Sequence, residues 1–142
     1  MAKILLLKPP QTYIEGTLSG RPCIPFGLLY VAGALSEANH DVVIRDLLME
    51  GEQQTKRTQE KSLVVNKEYL YRGLTQEQIQ KLVRDENPDI VGISWITGTQ
   101  ERDAKKLSNI IKKQLPNTPI IVGGTAPSLI KERVFLDSSF DY

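Results

Sequence analysis

The chain has 142 residues, a length that suits one domain with a single hydrophobic core. Its net charge of +1, with 25% charged and 40% hydrophobic residues, gives no electrostatic basis for binding nucleic acid or an anionic membrane. The one cysteine, Cys23, excludes an internal disulfide framework and a metal site built from several cysteines of this chain.

The amino-terminal third predicts two strands and a helix. Residues 3–8, KILLLK, form a nearly continuous apolar run, which is typical of a strand covered on both faces. The run is too short for a signal sequence or a membrane span, so we expect a cytoplasmic protein. Residues 9–25, rich in Pro, Gly and Thr, predict a loop. An apolar stripe predicts a helix over 26–39, and a second strand follows at 41–46.

A long polar segment, 47–73, follows the second strand and exceeds the length of a simple loop. Two interpretations stay open: a surface insertion, or a lid or partner-docking segment over the ligand-binding edge of the sheet. Its last part, LVVNKEYLYRGL (63–74), fits either a turn of helix or a β-arm.

The second half continues the alternation of helix and strand. Thr75 and Gln78 have the spacing of a capping box, which predicts that a helix begins there. A third strand is predicted at 88–94, followed by an amphipathic helix over 102–115. A fourth strand is predicted at 118–124.

The carboxyl terminus predicts a short helix over 127–135 and the first residues of a fifth strand at Asp141 and Tyr142. Strands that alternate with helices predict an α/β fold, a flavodoxin-like doubly wound parallel sheet of strand order 2-1-3-4. We expect the fifth strand to be truncated because the chain is a piece of a longer protein. A complete four-stranded domain with a disordered tail is the alternative.

Small and polar residues gather at one edge of this predicted sheet. Ligands of such sheets bind outside the carboxyl ends of the strands, where the strand order reverses. Here that point lies between the first and third strands, beside loops 9–25, 94–101 and 123–127. Hydroxyl groups there can donate and accept hydrogen bonds, and glycines let a ligand approach the backbone. Their coincidence at one edge predicts a ligand site.

Side chains for catalysis are sparse. Asp46 ends the second strand and Asp89 begins the third, so their carboxylates lie at opposite edges of the sheet. The one histidine, His40, precedes the second strand on the edge away from the ligand loops. No nucleophile elbow, phosphate loop or dinucleotide fingerprint occurs. The sequence therefore predicts a binding module without catalytic residues or metal ligands of its own.

The order of motifs resembles a known family. The chain contains KILLLKPP, then IPFGLLYVAGALSEANHDVVIRD, NPDIVGISWITGT, LPNTPIIVGGTAPS and FDY. This series is similar to the cobalamin-binding domain at the amino terminus of B12-dependent radical SAM enzymes, including the anaerobic Mg-protoporphyrin IX monomethyl ester oxidative cyclase type. Its most specific parts are the Pro-x-Gly-Leu-x-Tyr-x-Ala pattern of residues 25–32, and PDIVGIS followed later by VGG.

The resemblance implies a set of cobalamin-binding residues. Residues of the loop after the third strand would lie near the lower face and nucleotide tail of cobalamin. The two glycines after the fourth strand would leave room for that tail, and the three residues that follow would line the same cleft. The implied residues, with Gly98 added for the room it gives the turn, are Ser94, Ile96, Thr97, Gly98, Gly123, Gly124, Thr125, Ala126 and Pro127.

Two departures from family patterns refine this hypothesis. Many cobalamin domains carry Asp-x-His-x-x-Gly after the first strand, but PPQTYIEGTLSG lacks histidine, so we expect cobalamin without an imidazole ligand from this chain. A radical SAM [4Fe–4S] cluster needs a Cys-x3-Cys-x2-Cys motif, which one cysteine cannot supply. The cluster, S-adenosylmethionine and the radical SAM domain would then lie beyond residue 142 of the full-length protein, and residues 1–142 would form one cobalamin-binding domain.

Other interpretations stay open. A flavin or nucleotide could bind with residues 97–99 as a phosphate loop, although flavin domains of this fold place that loop after the first strand. A phosphoacceptor receiver needs acidic residues after the first strand, where this chain has Lys8-Pro9-Pro10. A structural domain that binds no ligand is a further alternative. Trp95 either packs under the adjacent helix or borders the corrin ring.

Overall fold

The computed structural model describes residues 1–17, 23–51, 56–62 and 67–142. Its strands are β1 (Lys3–Lys8), β2 (Gln11–Ile14), β3 (Asp41–Asp46), β4 (Lys56–Lys61), β5 (Glu68–Arg72), β6 (Ile90–Ser94) and β7 (Ile120–Gly123). Its α-helices are α1 (Phe26–Glu37), α2 (Leu47–Glu50), α3 (Gln76–Glu86), α4 (Glu101–Gln114) and α5 (Thr125–Ile130). Short 3₁₀ turns at Gly98–Gln100 and Lys131–Phe135 precede α4 and follow α5.

The main sheet has four parallel strands in the order β3-β1-β6-β7. This order confirms the predicted flavodoxin-like arrangement 2-1-3-4. At the outer edge of β7, Tyr142 N donates to Ile120 O (3.3 Å) and Val122 N donates to Tyr142 O (2.9 Å). These hydrogen bonds have the pattern that a parallel neighbour makes, but residues 141 and 142 are not assigned to a strand, so the fifth strand stays a prediction.

The two faces of the sheet are covered unequally. Side chains alternate along β1, and Leu5 and Leu7 enter a large core with residues of α3, α4 and α5. Ile4 and Leu6 enter a smaller cluster with residues of α1. Because α1 packs beside β1 and β3, the described helices leave the β6–β7 half of that second face open.

Local sequence signals set the helix boundaries. Thr75 N donates to Gln78 Oε1 (2.8 Å) and Gln78 N donates to Thr75 Oγ1 (3.3 Å), which forms the predicted capping box of α3. Asn39 follows α1 and Asn87 ends α3, both with positive φ (59° and 43°). None of the described helices is long and apolar enough to cross a membrane.

A second, antiparallel sheet of order β2-β5-β4 stands beside the main sheet, and we call it the arm. Residues 11–14 form a strand of this sheet, so the prediction of a loop throughout 9–25 was wrong there. A short strand rich in polar residues carries little sequence signal until a partner supplies its hydrogen bonds. Segment 63–74 takes the β-arm alternative through β5, whereas residues 18–22, 52–55 and 63–66 lie outside the described residues.

The insertion that carries β4 and β5 leaves and re-enters the domain at one point. Leu74 N donates to Leu47 O (2.9 Å), and the backbones of Gly51 and Gly73 touch. A Cβ at Gly51 would lie 2.0 Å from the Gly73 carbonyl carbon. Because its two ends lie next to each other, the insertion fits between β3 and α3 without disturbing the main sheet.

Gly51→Ala should therefore lower the free energy of unfolding by about 3 kcal/mol, since backbone atoms must move to admit the methyl group. Gly33→Ala, inside α1 with no atom within 4 Å of the new Cβ, is the matched control and should raise stability by about 0.5–1 kcal/mol. Urea denaturation of both variants measures the difference. Equal stabilities would contradict the contact.

Asp141 fastens the last residues to the sheet. Its Oδ2 accepts hydrogen bonds from Lys112 Nζ of α4 (2.7 Å) and from Ile120 N (2.7 Å). The Lys112 ammonium, followed by the backbone N–H, lowers the pKa of the Asp141 carboxyl. A carboxyl with a lowered pKa in the folded state stabilises the fold above its unfolded pKa, and the contribution disappears as the pH falls through its folded pKa.

Asp141→Asn should accordingly lower the melting temperature at pH 7, and the difference from the parent should shrink below about pH 4 as the parent carboxyl gains its proton. Asp137→Asn is the control, because Asp137 is exposed and its carboxylate contacts neither Lys112 nor Ile120. Melting curves at pH 7 and pH 3 test this, and a pH-independent difference would contradict it.

Candidate functional site

An open cleft of about 580 Å³ lies on the sheet face that α1 covers in part. Leu6 of β1, Gly92 of β6 and Ile121 of β7 stand side by side in register and form its floor. Leu28 and Val31 of α1 form one wall. The lining is almost entirely apolar, which suits a flat apolar group rather than an ion.

The carboxyl end of the same face is polar. Ser94 pairs in register with Gly123, and Lys8 pairs with Asp46 of β3. Each follows a strand residue of this face by two positions, so its Cα–Cβ bond projects to the same side of the sheet. The buried Lys8 ammonium contacts Asp46 Oδ2 (2.9 Å) and donates to Cys23 O (2.8 Å). The hydrogen bond to Cys23 O attaches the residues just before α1 to the end of β1.

Trp95 is fully buried directly after β6. It belongs to the core cluster that contains Leu107 of α4, and Lys105 Nζ lies 6.0 Å from the centre of its ring. The prediction that Trp95 packs under the adjacent helix is confirmed. Its backbone joins two loops, because Trp95 N donates to Gly123 O (2.7 Å) and Ala126 N donates to Trp95 O (3.3 Å).

The turn that follows Trp95 is closed by its own hydrogen bonds. The buried Gln100 Oε1 accepts from Ile96 N (2.9 Å) and Thr97 N (3.2 Å). Thr97 O accepts from the Trp95 indole N–H (2.8 Å), and the Thr97 and Thr99 hydroxyls lie 2.8 Å apart. The turn is therefore a preformed ridge beside the cleft.

The two consecutive glycines after β7 have different surroundings. A Cβ at Gly123 would meet no atom within 4 Å, and this residue lines the cleft. Gly124 has a φ of +120°, and its Cβ would lie 2.3 Å from Trp95 O. Gly124 is thus required by backbone packing, whereas Gly123 keeps the cleft wide.

These surroundings predict that alanine is tolerated at Gly123 but not at Gly124. Gly124→Ala should lower the free energy of unfolding by about 2–4 kcal/mol, through strain at positive φ and collision with the Trp95 backbone. Gly123→Ala should change it by less than about 0.5 kcal/mol, because its methyl group enters open space. Urea denaturation compares the two variants, and a larger loss for Gly123→Ala would contradict the geometry.

The cleft gathers five of the nine site residues predicted from the sequence, namely Ser94, Ile96, Gly123, Gly124 and Thr125. The other four lie outside its lining. Thr97 and Gly98 are exposed at the ridge, Ala126 is buried, and Pro127 is half-buried. Five of the nine predicted residues thus line the cleft, two lie on the exposed ridge beside it, and two follow Thr125 in α5.

Sequence reasoning missed the floor and the α1 wall. Gly92 carried a signal, since a glycine inside a strand often marks a close approach, and its Cβ would lie 2.7 Å from Leu6 Cδ2. Leu28 and Val31 belong to the apolar stripe that predicts α1, and such a stripe usually packs against the core. Val31 is instead 49% exposed, because no described helix packs against it from the β7 side.

The remaining candidate groups lie elsewhere. Asp89 accepts a hydrogen bond from Lys3 N (2.7 Å) at the amino end of the sheet, opposite Asp46, as predicted. His40 Nδ1 accepts from Ala2 N (3.3 Å) at that same amino end. Within the described part of the chain, no group of three His, Cys, Asp or Glu residues is arranged to hold a metal ion.

Comparison with known proteins identifies the family. A family model of the B12 binding domain matches residues 16–142. The chain is 27% identical over 139 residues to the cytidylyl-2-hydroxyethylphosphonate methyltransferase of Streptomyces wedmorensis. The aligned region covers 98% of this chain and 25% of that protein. It is also 31% identical over 122 residues to an uncharacterized methyltransferase of Pyrococcus horikoshii, in an aligned region that covers 86% of this chain and 21% of that protein.

The chain thus spans about a quarter of the length of the curated relatives it matches. The family match covers most of the chain and includes β6, β7 and the loops at their carboxyl ends. With the parallel sheet of order β3-β1-β6-β7 and the cleft on its α1 face, this chain belongs to the B12-binding domain family.

Proposed function

We propose that this chain is the cobalamin-binding module of a B12-dependent radical SAM methyltransferase, and that its cleft receives the nucleotide tail of cobalamin. The observation that carries the proposal is the open apolar cleft beside Gly123, in a chain of the B12-binding domain family. No other described cavity combines this volume with an apolar lining at the carboxyl edge of the sheet.

The residues of the cleft fit the tail. Its volume of about 580 Å³ falls within the usual range of small-molecule sites, about 300–1,000 Å³. The benzimidazole base of the tail is flat and apolar, and Leu6, Leu28 and Ile121 offer it apolar surface. Ser94 would supply a hydroxyl at the polar end of the cleft, and Gly123 leaves the entrance free.

The corrin ring would rest on the two loops that Trp95 joins. Ile96 is 43% exposed beside the cleft, and Thr97 and Gly98 extend the same ridge. Residues 125–127 would border the ring from the β7 side. Because the ridge is already closed by its own hydrogen bonds, binding orders little of it and loses little entropy.

We propose that cobalamin binds without a histidine ligand from this chain. The only histidine in the sequence, His40, lies at the amino end of the sheet and is hydrogen-bonded to Ala2 N. Bound cobalamin supplies a cobalt centre that can carry a methyl group. With cobalamin bound, the residues of this chain would hold the tail in the cleft and orient the ring on the ridge.

The rest of the reaction would be performed outside residues 1–142. A [4Fe–4S] cluster needs several cysteines, whereas Cys23 is the only one here. We propose a radical SAM domain, with S-adenosylmethionine, in the same full-length protein. Methyl transfer is favoured over oxidative cyclisation, because both curated relatives are named methyltransferases. A full-length sequence without a Cys-x3-Cys-x2-Cys motif would refute this part.

Cobalamin binding can be tested with two corrinoids. The parent chain should retain hydroxocobalamin through gel filtration and bind it more tightly than cobinamide, which lacks the nucleotide tail. Gly123→Val should weaken cobalamin binding at least about tenfold by filling the entrance of the cleft, and should leave cobinamide binding unchanged. Visible absorption titrations measure both affinities.

Gly33→Ala is the control, because its methyl group lies on the outer side of α1 away from the cleft. It should bind both corrinoids as the parent does. A parent chain that retains neither corrinoid, or a Gly123→Val variant that binds cobalamin normally, would overturn the proposed site. Retention of FMN instead would favour the flavin-binding alternative.

A further inference from the structure

A second recess, of about 290 Å³, lies between the arm and the ridge after β6. Tyr13 and Tyr69 line it from the arm, and Thr99 and Arg102 line it from the main domain. Both tyrosines are half-buried. The recess is too small for a whole cofactor, so it suits part of one.

The arm is held in place on both sides of this recess. The buried Asp103 of α4 accepts hydrogen bonds from Thr12 N (2.5 Å) and Thr12 Oγ1 (2.8 Å). Burial raises the pKa of the Asp103 carboxyl, although the two Thr12 donors oppose the shift. On the β4 side, the Glu60 carboxylate pairs with both terminal nitrogens of Arg102. These contacts attach the arm to α4 on both sides of the recess.

The recess and the cleft share one ridge. Ile96 lines the cleft, and Thr99, three residues later, lines the recess. Residues 96–99 form a turn whose shape is fixed by Gln100. A rigid planar group that rests on this ridge, with one substituent in the cleft, would place its rim over the recess.

The charges of the recess select the ligand class. Arg102 is the one cation among the residues that line it, and Glu60 already neutralises that guanidinium. The hydroxyls of Tyr13, Tyr69 and Thr99 can donate and accept hydrogen bonds. Such a lining matches a neutral primary amide, which also donates and accepts, better than a carboxylate or a phosphate.

We infer that this recess holds amide side chains at the rim of the corrin ring, so that the arm is a second wall of the cofactor site. The inference rests on the proposed function and adds to it the arm, whose strands β4 and β5 lie within the insertion. The corrin ring of cobalamin carries primary amide side chains around its whole rim. The tail and the rim would thus be recognised by different elements on opposite sides of one ridge.

Replacing the two tyrosines by phenylalanine removes their hydroxyls but keeps their rings. These variants test whether the recess recognises the rim of the corrin ring and the cleft recognises the tail. The double variant Tyr13→Phe/Tyr69→Phe should weaken hydroxocobalamin and cobinamide binding by the same factor, about tenfold, because both corrinoids carry the rim amides. Each single variant should give about threefold. The control is Tyr30→Phe on the exposed side of α1, where Tyr30 is 80% exposed; it should bind both corrinoids as the parent does.

Visible titrations, with circular dichroism to verify folding, give four distinguishable results. An equal loss for both corrinoids supports the inference. Unchanged affinities in the double variant overturn it, while the Gly123→Val effect can still stand. A loss confined to cobalamin also overturns it, since the recess would then serve the tail. A parent chain that binds neither corrinoid fails the proposed function itself. If the double variant does not fold, the single variants decide.

Discussion

The backbone of Trp95 is the point on which the carboxyl edge of this domain depends. Its N–H binds Gly123 at the end of β7, its carbonyl group accepts from Ala126 N in α5, and its indole fills the core beneath α4. The contact is so close that Gly124 can carry no side chain. A large buried ring fixes the backbone around it, because its many contacts are lost together if it moves. Two neighbouring loops are thereby fixed relative to each other before any ligand arrives.

The cleft follows from a different constraint, the unequal covering of the two sheet faces. One face is closed by α3, α4 and α5, and its side chains form a continuous core. The other is packed by α1 over β1 and β3, so Gly92 and Ile121 remain open beside Val31. Apolar surface exposed in this concentration is costly in water. A bound apolar group that fills the cleft would recover that free energy.

The arm shows how a polar insertion acquires structure. Strand β4, KRTQEK, has no apolar alternation, and β2 has only four residues. Neither would be stable alone. Their order comes from pairing with β5 and from attachment to α4 through Asp103 and Arg102. The ends of the insertion that holds β4 and β5 meet where Gly51 and Gly73 touch.

The sequence by itself determined the parallel sheet, its strand order, the starts of α1 and α3, and the edge at which small and polar residues gather; the helix predicted over 127–135 is instead α5 at Thr125–Ile130 followed by a 3₁₀ turn. These features depend on local periodicity and on capping residues such as Thr75. The strand order also follows because connections between parallel strands are right-handed, which leaves few possible topologies. The resemblance in the motifs added the family, which the comparisons bear out over residues 16–142.

Only the tertiary structure decided which residues line the cleft, since that depends on which face each helix covers. It separated Gly123 from Gly124, which are identical in sequence but face open space and the Trp95 backbone respectively. It also showed that strands β4 and β5 of the polar insertion belong to the arm that lies beside the ridge. Contacts between residues far apart in the chain, such as Thr12 with Asp103, leave no periodic trace in the sequence, because neither residue needs the other until both are folded.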